Sequence, residues 1–274
     1  MKYGVREVVD IVFKAKADMK LGNMSFKKGQ PVIVFDSAKT SSLEGDSTEV
    51  FAQGGKGNPK RVSWSGEKSL TFTFEDALIT PISAAILMGA NIATKSTFKQ
   101  HVYGEVVCST TDTLDCSGLV ADANFTKAGA EAATKFTGTV WATKLDDDGS
   151  LGTAIEVTDP GSSVNALTVT GAVEGNRYLV DGYVDVTSGT SISIEPNKFS
   201  DYFYVEGNTF WRRESDGVDA PAQITLPKAK VQSKFTLSMN NSGDPSTFTF
   251  TMNAMPDYVN GATKKTLCQI DVLD

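Results

Sequence analysis

Residues 68–90 read KSLTFTFEDALITPISAAILMGA, and two different periodicities meet inside them. In the first eight, Leu70, Phe72 and Phe74 alternate with Ser69, Thr71 and Thr73. A period of two puts the apolar groups on one face and the hydroxyls on the other, the pattern of a half-buried strand. The following residues change periodicity. Thr80 carries the side-chain oxygen of an N-cap, Pro81 suits the first helical position, where its missing N–H costs nothing, and Gly89 marks a C-terminal stop. A helix of about two to three turns is predicted, with Ile82, Ala85, Ile86 and Met88 or Gly89 turned toward a sheet.

Outward from this stretch the same alternation returns only near the two ends of the chain. Val5 to Phe13 and Pro31 to Phe35 read as strands joined through the turn signals Gly22-Asn23 and Lys28-Gly29. Near the C-terminus it appears in SKFTLSM (Phe235, Leu237, Met239), TFTFTMN (Phe248, Phe250, Met252) and TLCQIDVL (Cys268, Ile270, Val272), the first two joined by NNSGDPS. Between about Val102 and Glu195 the texture is blander, with strand-like runs FTGTVWATKL, AIEVTD, ALTVTG, RYLVDGYVDV and TSISIEP set between turns. There AGAEAATKF fits a short helix equally well. The expected fold is therefore mainly β: a barrel or sandwich built from both termini, with one short flanking helix and an inserted small β-sandwich-like module. The expected divisions are 1–101 for the first part of the barrel, 102–200 for the insert and 201–274 for the closing strands. The 24 Gly and 9 Pro supply the breaks that many short strands need. From Asp36 to Ser63 runs a polar stretch, with only Leu43, Val50 and Phe51 to offer a core. At 36–63 it is longer than an ordinary connection and reads as an assembly loop that orders against a neighbour.

Local chemistry is sparse. The lone histidine, His101, cannot build a histidine-rich metal site and has no nucleophile elbow to serve. Cys108, Cys116 and Cys268 lack zinc spacing and are too few for a disulfide scaffold, although Cys108 and Cys116 could pair across a hairpin. FAQGGKGNPK departs from the phosphate-loop pattern, since no Ser or Thr follows Lys56, and it reads as a flexible loop tip. In LDDDGS the ladder Asp146, Asp147, Asp148 has no calcium-loop order after Gly149, so a solvated hairpin turn accounts for it better. Trp64, Trp141 and Trp211 sit beside strand-like residues, as core or interface anchors do. The expectation is a protein that is not an enzyme, with no catalytic, cofactor-binding or metal residue. A net charge of −7 argues against tight nucleic-acid binding, because a phosphate-binding surface needs clustered Lys and Arg. The N-terminus is charged from Lys2 onward and no window approaches ~18 uninterrupted apolar residues, so a soluble, cytoplasmically made protein with no membrane partner is expected.

Two blocks, RVSWSGEKSLTFTFEDALITPISAAILMGA at 61–90 and FYVEGNTFWRRESDGVDAPAQITLPKAKVQSKFTLSMNNSGDPSTFTFTMNAMPDY at 203–258 with the closing KTLCQIDVLD, resemble tail tube subunits of contractile-tailed bacteriophages. The resemblance implies a small β-barrel flanked by a helix, packed into hexameric rings that stack as a hollow conduit for DNA. The partners it implies are further copies of the chain, the tail sheath, baseplate and tape-measure proteins, with DNA only as passing cargo. The location it implies is the virion tail, after synthesis in the host cytoplasm, with the 36–63 segment as the arm that reaches a neighbouring subunit. The 102–200 insert goes beyond simple tube subunits. A competing class is a binding, adhesion or decoration protein whose insert presents Trp141, Tyr178 or Tyr183 to a ligand such as a glycan.

Overall fold

The computed structural model describes residues 2–5, 8–95, 98–121, 135–161, 163–186, 189–237 and 247–273. They form a mainly β protein, in which the α-helices among the described residues are Pro81–Met88 and Ser117–Ala121. The chain divides into two compact units, Met1–Ala93 with Ile192–Asp274, and Thr94–Ser191.

The first unit is organised around an antiparallel sheet in the order Pro31–Phe35, Asp10–Ala15, Tyr202–Arg213, Asp219–Val231, Phe248–Ala254, Lys60–Asp76, Ala38–Gln53. Alternation decides which face is buried: Ile11, Phe13 and Ala15 from one strand, Phe72 and Phe74 from another, Phe248, Phe250 and Met252 from a third. Their rings interlock. Phe35, on the first strand of the sheet, lies 4.8 Å from Phe74 and 4.9 Å from Phe250, centroid to centroid, although those two belong to the sixth and fifth strands. Contact between strands so far apart in the ladder requires the sheet to curl over its own inner face. Phe74 and Phe250, a directly opposed cross-strand pair, stack at 4.9 Å with their planes 4° apart. Closure into a barrel, one of the two architectures expected, is not reached among the described residues. The edge strands Pro31–Phe35 and Ala38–Gln53 are joined through Asp36 and Ser37 but share no ladder. Instead the Ser37 hydroxyl donates to buried Asp76, and the Ala77 N–H donates to the Ser37 carbonyl at 3.3 Å, which pins the crossing.

The predicted helix is present at Pro81–Met88. The Thr80 hydroxyl accepts the Ser83 N–H at 3.1 Å while the Ser83 hydroxyl accepts the Thr80 N–H at 2.8 Å, a reciprocal cap. Gly89 ends the helix at φ +63°, and a Cβ there would meet the Phe199 and Ser200 backbone at 3.0 Å. Burial is wider than one face: every residue from Ser83 to Leu87 is enclosed. Ile86 and Leu87 join the phenylalanine core, whereas Ala85 packs with Ala90 and Ile92. The reason lies in the composition, because the segment's one hydroxyl, on Ser83, is consumed by the cap and leaves no polar face.

Two expected strands are displaced. SKFTLSM is not a strand over its described residues, 233–237, while Met239 and the NNSGDPS loop lie outside them. Phe248–Ala254 instead pairs with Asp219–Val231 on one side and Lys60–Asp76 on the other. The inward positions of Asp219–Val231 are partly alanines, Ala220, Ala222 and Ala229, too small to announce an alternation, and Pro221 and Pro227 argue locally against a strand. Pro227 is tolerated because the register slips there, with Phe203 opposite Ala229 and Val205 opposite Leu226. The last run also splits: Lys265–Thr266 pairs with Asp257–Tyr258, and Gln269–Val272 lies on Asp219–Val231.

The second unit holds a four-stranded antiparallel sheet, Leu151–Val157, Val140–Leu145, Arg177–Val186, Phe98–Val107. A two-stranded ribbon, Thr113–Leu114 with Leu167–Thr168, contributes to the same core. One face of the larger sheet supplies Val102, Val106, Val140, Ala142, Tyr178, Val180 and Val184 to that core. Cys108 and Cys116 are buried free thiols, so the hairpin pairing considered from sequence is not made. Burial, with the charge of Asp115 nearby, pushes the Cys116 thiol up to about 12. In the first unit burial pushes Cys268 up to about 11, opposed by a backbone hydrogen bond at Thr225.

Phe250→Ala or Phe72→Ala should each cost about 3 to 5 kcal/mol in urea unfolding, since each deletes a buried core ring. Iodoacetamide at pH 8 should leave Cys116 and Cys268 unmodified in the native protein and alkylate both in urea. The folded form holds these protons more tightly than the unfolded one. The stability linked to them is therefore complete below the ordinary thiol value of 9.0 and declines as pH rises toward 11 to 12.

Candidate assembly surface

The polar stretch expected to be a loop at 36–63 is an antiparallel hairpin, Ala38–Gln53 against Lys60–Asp76. Its ladder runs from Ala38 opposite Asp76 to Gln53 opposite Lys60, with register shifts along the way. At the root Leu43 and Leu70 pack on the phenylalanine core. Beyond Glu44 and Ser69 nearly every side chain on both faces is exposed, so this half is held by its backbone ladder and not by burial. At ~3.3 Å per residue the outer part, Glu44 to Gln53, is a ribbon about 30 Å long.

The outer ribbon carries an apolar face. Val50 stands directly opposite Trp64, and Ala52 opposite Val62, so the four alternate on one side. Val50 is 62% exposed, Trp64 55% and Val62 50%. On the other side the Lys60 ammonium sits over the Phe51 ring, 3.7 Å from its centroid. FAQGGKGNPK forms the tip. Gly55 at φ +93° and Gly57 at φ +82° make the reversal, helped by Asn58 at φ +47°, and the Asn58 N–H donates to the Gly55 carbonyl at 3.0 Å. The Arg61 guanidinium donates to the Gly54 carbonyl at 2.8 Å. Acidic Glu44, Asp46 and Glu49 lie on the outgoing strand, and Lys56, Lys60, Arg61 and Lys68 on the tip and returning strand. A two-stranded ribbon exposed on both faces is marginal in water by itself. With its apolar face and an outer edge that no strand among the described residues pairs with, the ribbon offers both side-chain and backbone groups for a partner to cover. A second such edge among the described residues belongs to Pro31–Phe35, where Val34 is exposed.

The residues singled out from sequence fall in different places. Trp64 is on the arm; Trp211 is half-buried beside Tyr3, at 6.2 Å, with its indole nitrogen buried and without a hydrogen-bond partner among the described residues. Trp141 and Tyr183 lie on the outward face of the second unit's sheet. Tyr178 does not: it is 2% exposed, and its hydroxyl accepts the Val173 N–H at 3.0 Å, because it occupies a core position of the alternation. His101 is exposed, with Nε2 2.9 Å from Asp181 Oδ2. Asp146 to Ser150 form the hairpin turn between Val140–Leu145 and Leu151–Val157, where Asp148 accepts the Ser150 hydroxyl at 2.7 Å and its N–H at 2.9 Å. Those bonds from Ser150 hold the Asp148 carboxyl below the usual range.

Sequence reading missed the ribbon's structure because a strand with water on both faces shows no hydrophobic alternation. A pairing clue was available only in the spacing of Val50 and Trp64 about the glycine-rich tip. A family model described as the YomU/Tube protein family matches residues 4–266. No curated protein matches the chain.

In the dispersed subunit Trp64→Ala should change the unfolding free energy measured in urea by no more than about 0.5 kcal/mol, as expected of an exposed side chain. The same change should remove the emission most readily quenched by acrylamide. A larger loss of stability would mean that Trp64 is packed within its own subunit.

Proposed function

Because the chain belongs to the YomU/Tube protein family, we propose that it is the tail tube subunit of a bacteriophage: a virion structural protein that self-assembles into stacked hexameric rings around a channel for DNA. The observation that carries this reading is the arm, a ribbon exposed on both faces with Val50, Val62 and Trp64 uncovered on one of them. Covering those side chains with a second copy would gain roughly 25 cal/mol for each Å² of apolar surface removed from water. A head-to-tail contact of this kind closes into a ring when its rotation closes, and each subunit then gives one arm and receives one. Repetition of a small interface around and along the tube adds avidity without any new contact.

Charge fits the conduit. A net charge of −7 leaves a passing polyanion weakly held, so DNA is cargo and not a bound ligand. The role asks for no catalysis and no cofactor. Its further partners in a contractile tail are the sheath, baseplate and tape-measure proteins, and its place is the virion tail after synthesis in the host cytoplasm.

Negative-stain electron microscopy across protein concentrations tests the reading, using the whole chain and a variant in which 44–69 is replaced by a tight turn. The whole chain should form rings or tubes. The shortened chain should keep a cooperative urea transition, since its core rings are intact, and remain dispersed. Tubes formed by the shortened chain would overturn the assignment of assembly to the arm.

A further inference from the structure

The four-stranded sheet of the second unit has one face committed to its core, and its outward face is not the polar surface that such a sheet ordinarily presents to water. Register aligns Trp141 with Asp181 and Asp181 with Tyr103 across three strands, and pairs Tyr183 with His101 in the neighbouring outward row. Five side chains therefore share one patch. The His101 ring stacks on Tyr103 at 5.4 Å with 23° between planes, and meets Tyr183 at 5.3 Å and 41°. Tyr103 is 57% exposed, Tyr183 45% and Trp141 44%. The unit's folding does not call for these rings, since Val102, Val140, Ala142, Val180 and Val184 fill the inner face.

We propose that this patch binds a neutral saccharide chain. A pyranose ring has C–H faces that pack on aromatic rings and a rim of hydroxyls that both donate and accept hydrogen bonds. The patch supplies both complements: flat rings open to solvent, and between them Asp181 as acceptor, His101 as a donor or acceptor and the tyrosine hydroxyls. Charge selects the class of chain. Asp181 and Glu156 flank Trp141 on either side, while Arg177 is engaged with Glu105 at 3.2 Å. A surface with that excess of carboxylates repels phosphorylated or sulfated polymers and tolerates an uncharged one. The site lies on a different unit from the arm and does not depend on the tube reading.

The test uses the full chain and a panel of neutral hexasaccharides built on glucose, galactose, mannose or N-acetylglucosamine, with dextran sulfate as the charged probe, followed by tryptophan fluorescence and titration calorimetry. Saturable binding of at least one neutral hexasaccharide is expected. Trp141→Ala and Tyr183→Ala should each weaken it by about tenfold or more, as for a central aromatic contact, and Trp64→Ala on the arm should leave it unchanged. Both patch variants should still assemble as the parent does under the microscope. The proposal is overturned if no neutral hexasaccharide saturates, if binding survives both patch substitutions, or if dextran sulfate is the preferred ligand. It is equally overturned if the parent assembles and the patch variants do not, which would assign this face to a contact between copies.

Discussion

The contact between Phe35 and Phe74 governs the first unit. The two rings sit on strands at nearly opposite ends of the ladder, and they meet only if the sheet bends through the strands between them. Phe13, 5.1 Å from Phe35 and 5.2 Å from Phe203, and Phe250, stacked on Phe74, fill the inside of that bend. Ile86 and Leu87 of the helix pack against the same group. Once the curl is set, the link through Asp36 and Ser37 brings the chain across to the strand that begins the arm.

Two kinds of β-structure then coexist in one strand pair. Near its root the Ala38–Gln53 and Lys60–Asp76 hairpin joins the core, with Phe72 and Phe74 buried and Ala38 and Leu43 partly buried against them. Farther out the same hydrogen-bond ladder continues without any burial to support it. Stability is thus graded along the hairpin: high where the rings interlock and low where only backbone bonds remain. A segment of that kind is poised to gain order from a partner, and its side chains can be changed with little effect on the subunit that carries it.

Legibility in the sequence followed burial. KSLTFTFE and TFTFTMN declared themselves because large rings alternate with threonine, and the helix did so through Thr80, Pro81 and Gly89. Asp219–Val231 stayed hidden because alanines fill its inward positions and two prolines interrupt it. The arm stands out in the sequence by its length and polarity, but its strands do not, since exposed strands need no pattern. Tyr178 and Tyr183, alternatives as ligand contacts by composition, lie five residues apart in one strand and so point to opposite faces, which leaves only Tyr183 open to solvent. Tyr103 and Asp181 gave no local signal at all. Their partnership with His101 exists only through strand register, which is a property of the tertiary structure.

The ladder between Asp10–Ala15 and Tyr202–Arg213 has a consequence in time. Lys14 and Glu206, an ion pair at that seam, are 192 residues apart in the chain. At a synthesis rate of ~5–20 residues per second, the early strands and the whole arm leave the ribosome roughly 10–40 s before the strands that complete their sheet. Until then the phenylalanine core lacks Phe203 and Phe250, and the arm has no finished body from which to project. For the assembly proposed above, a nascent chain would therefore be a poor recruit, and the order of the strands acts as a clock that withholds a finished subunit until the strands carrying Phe203 and Phe250 have been made.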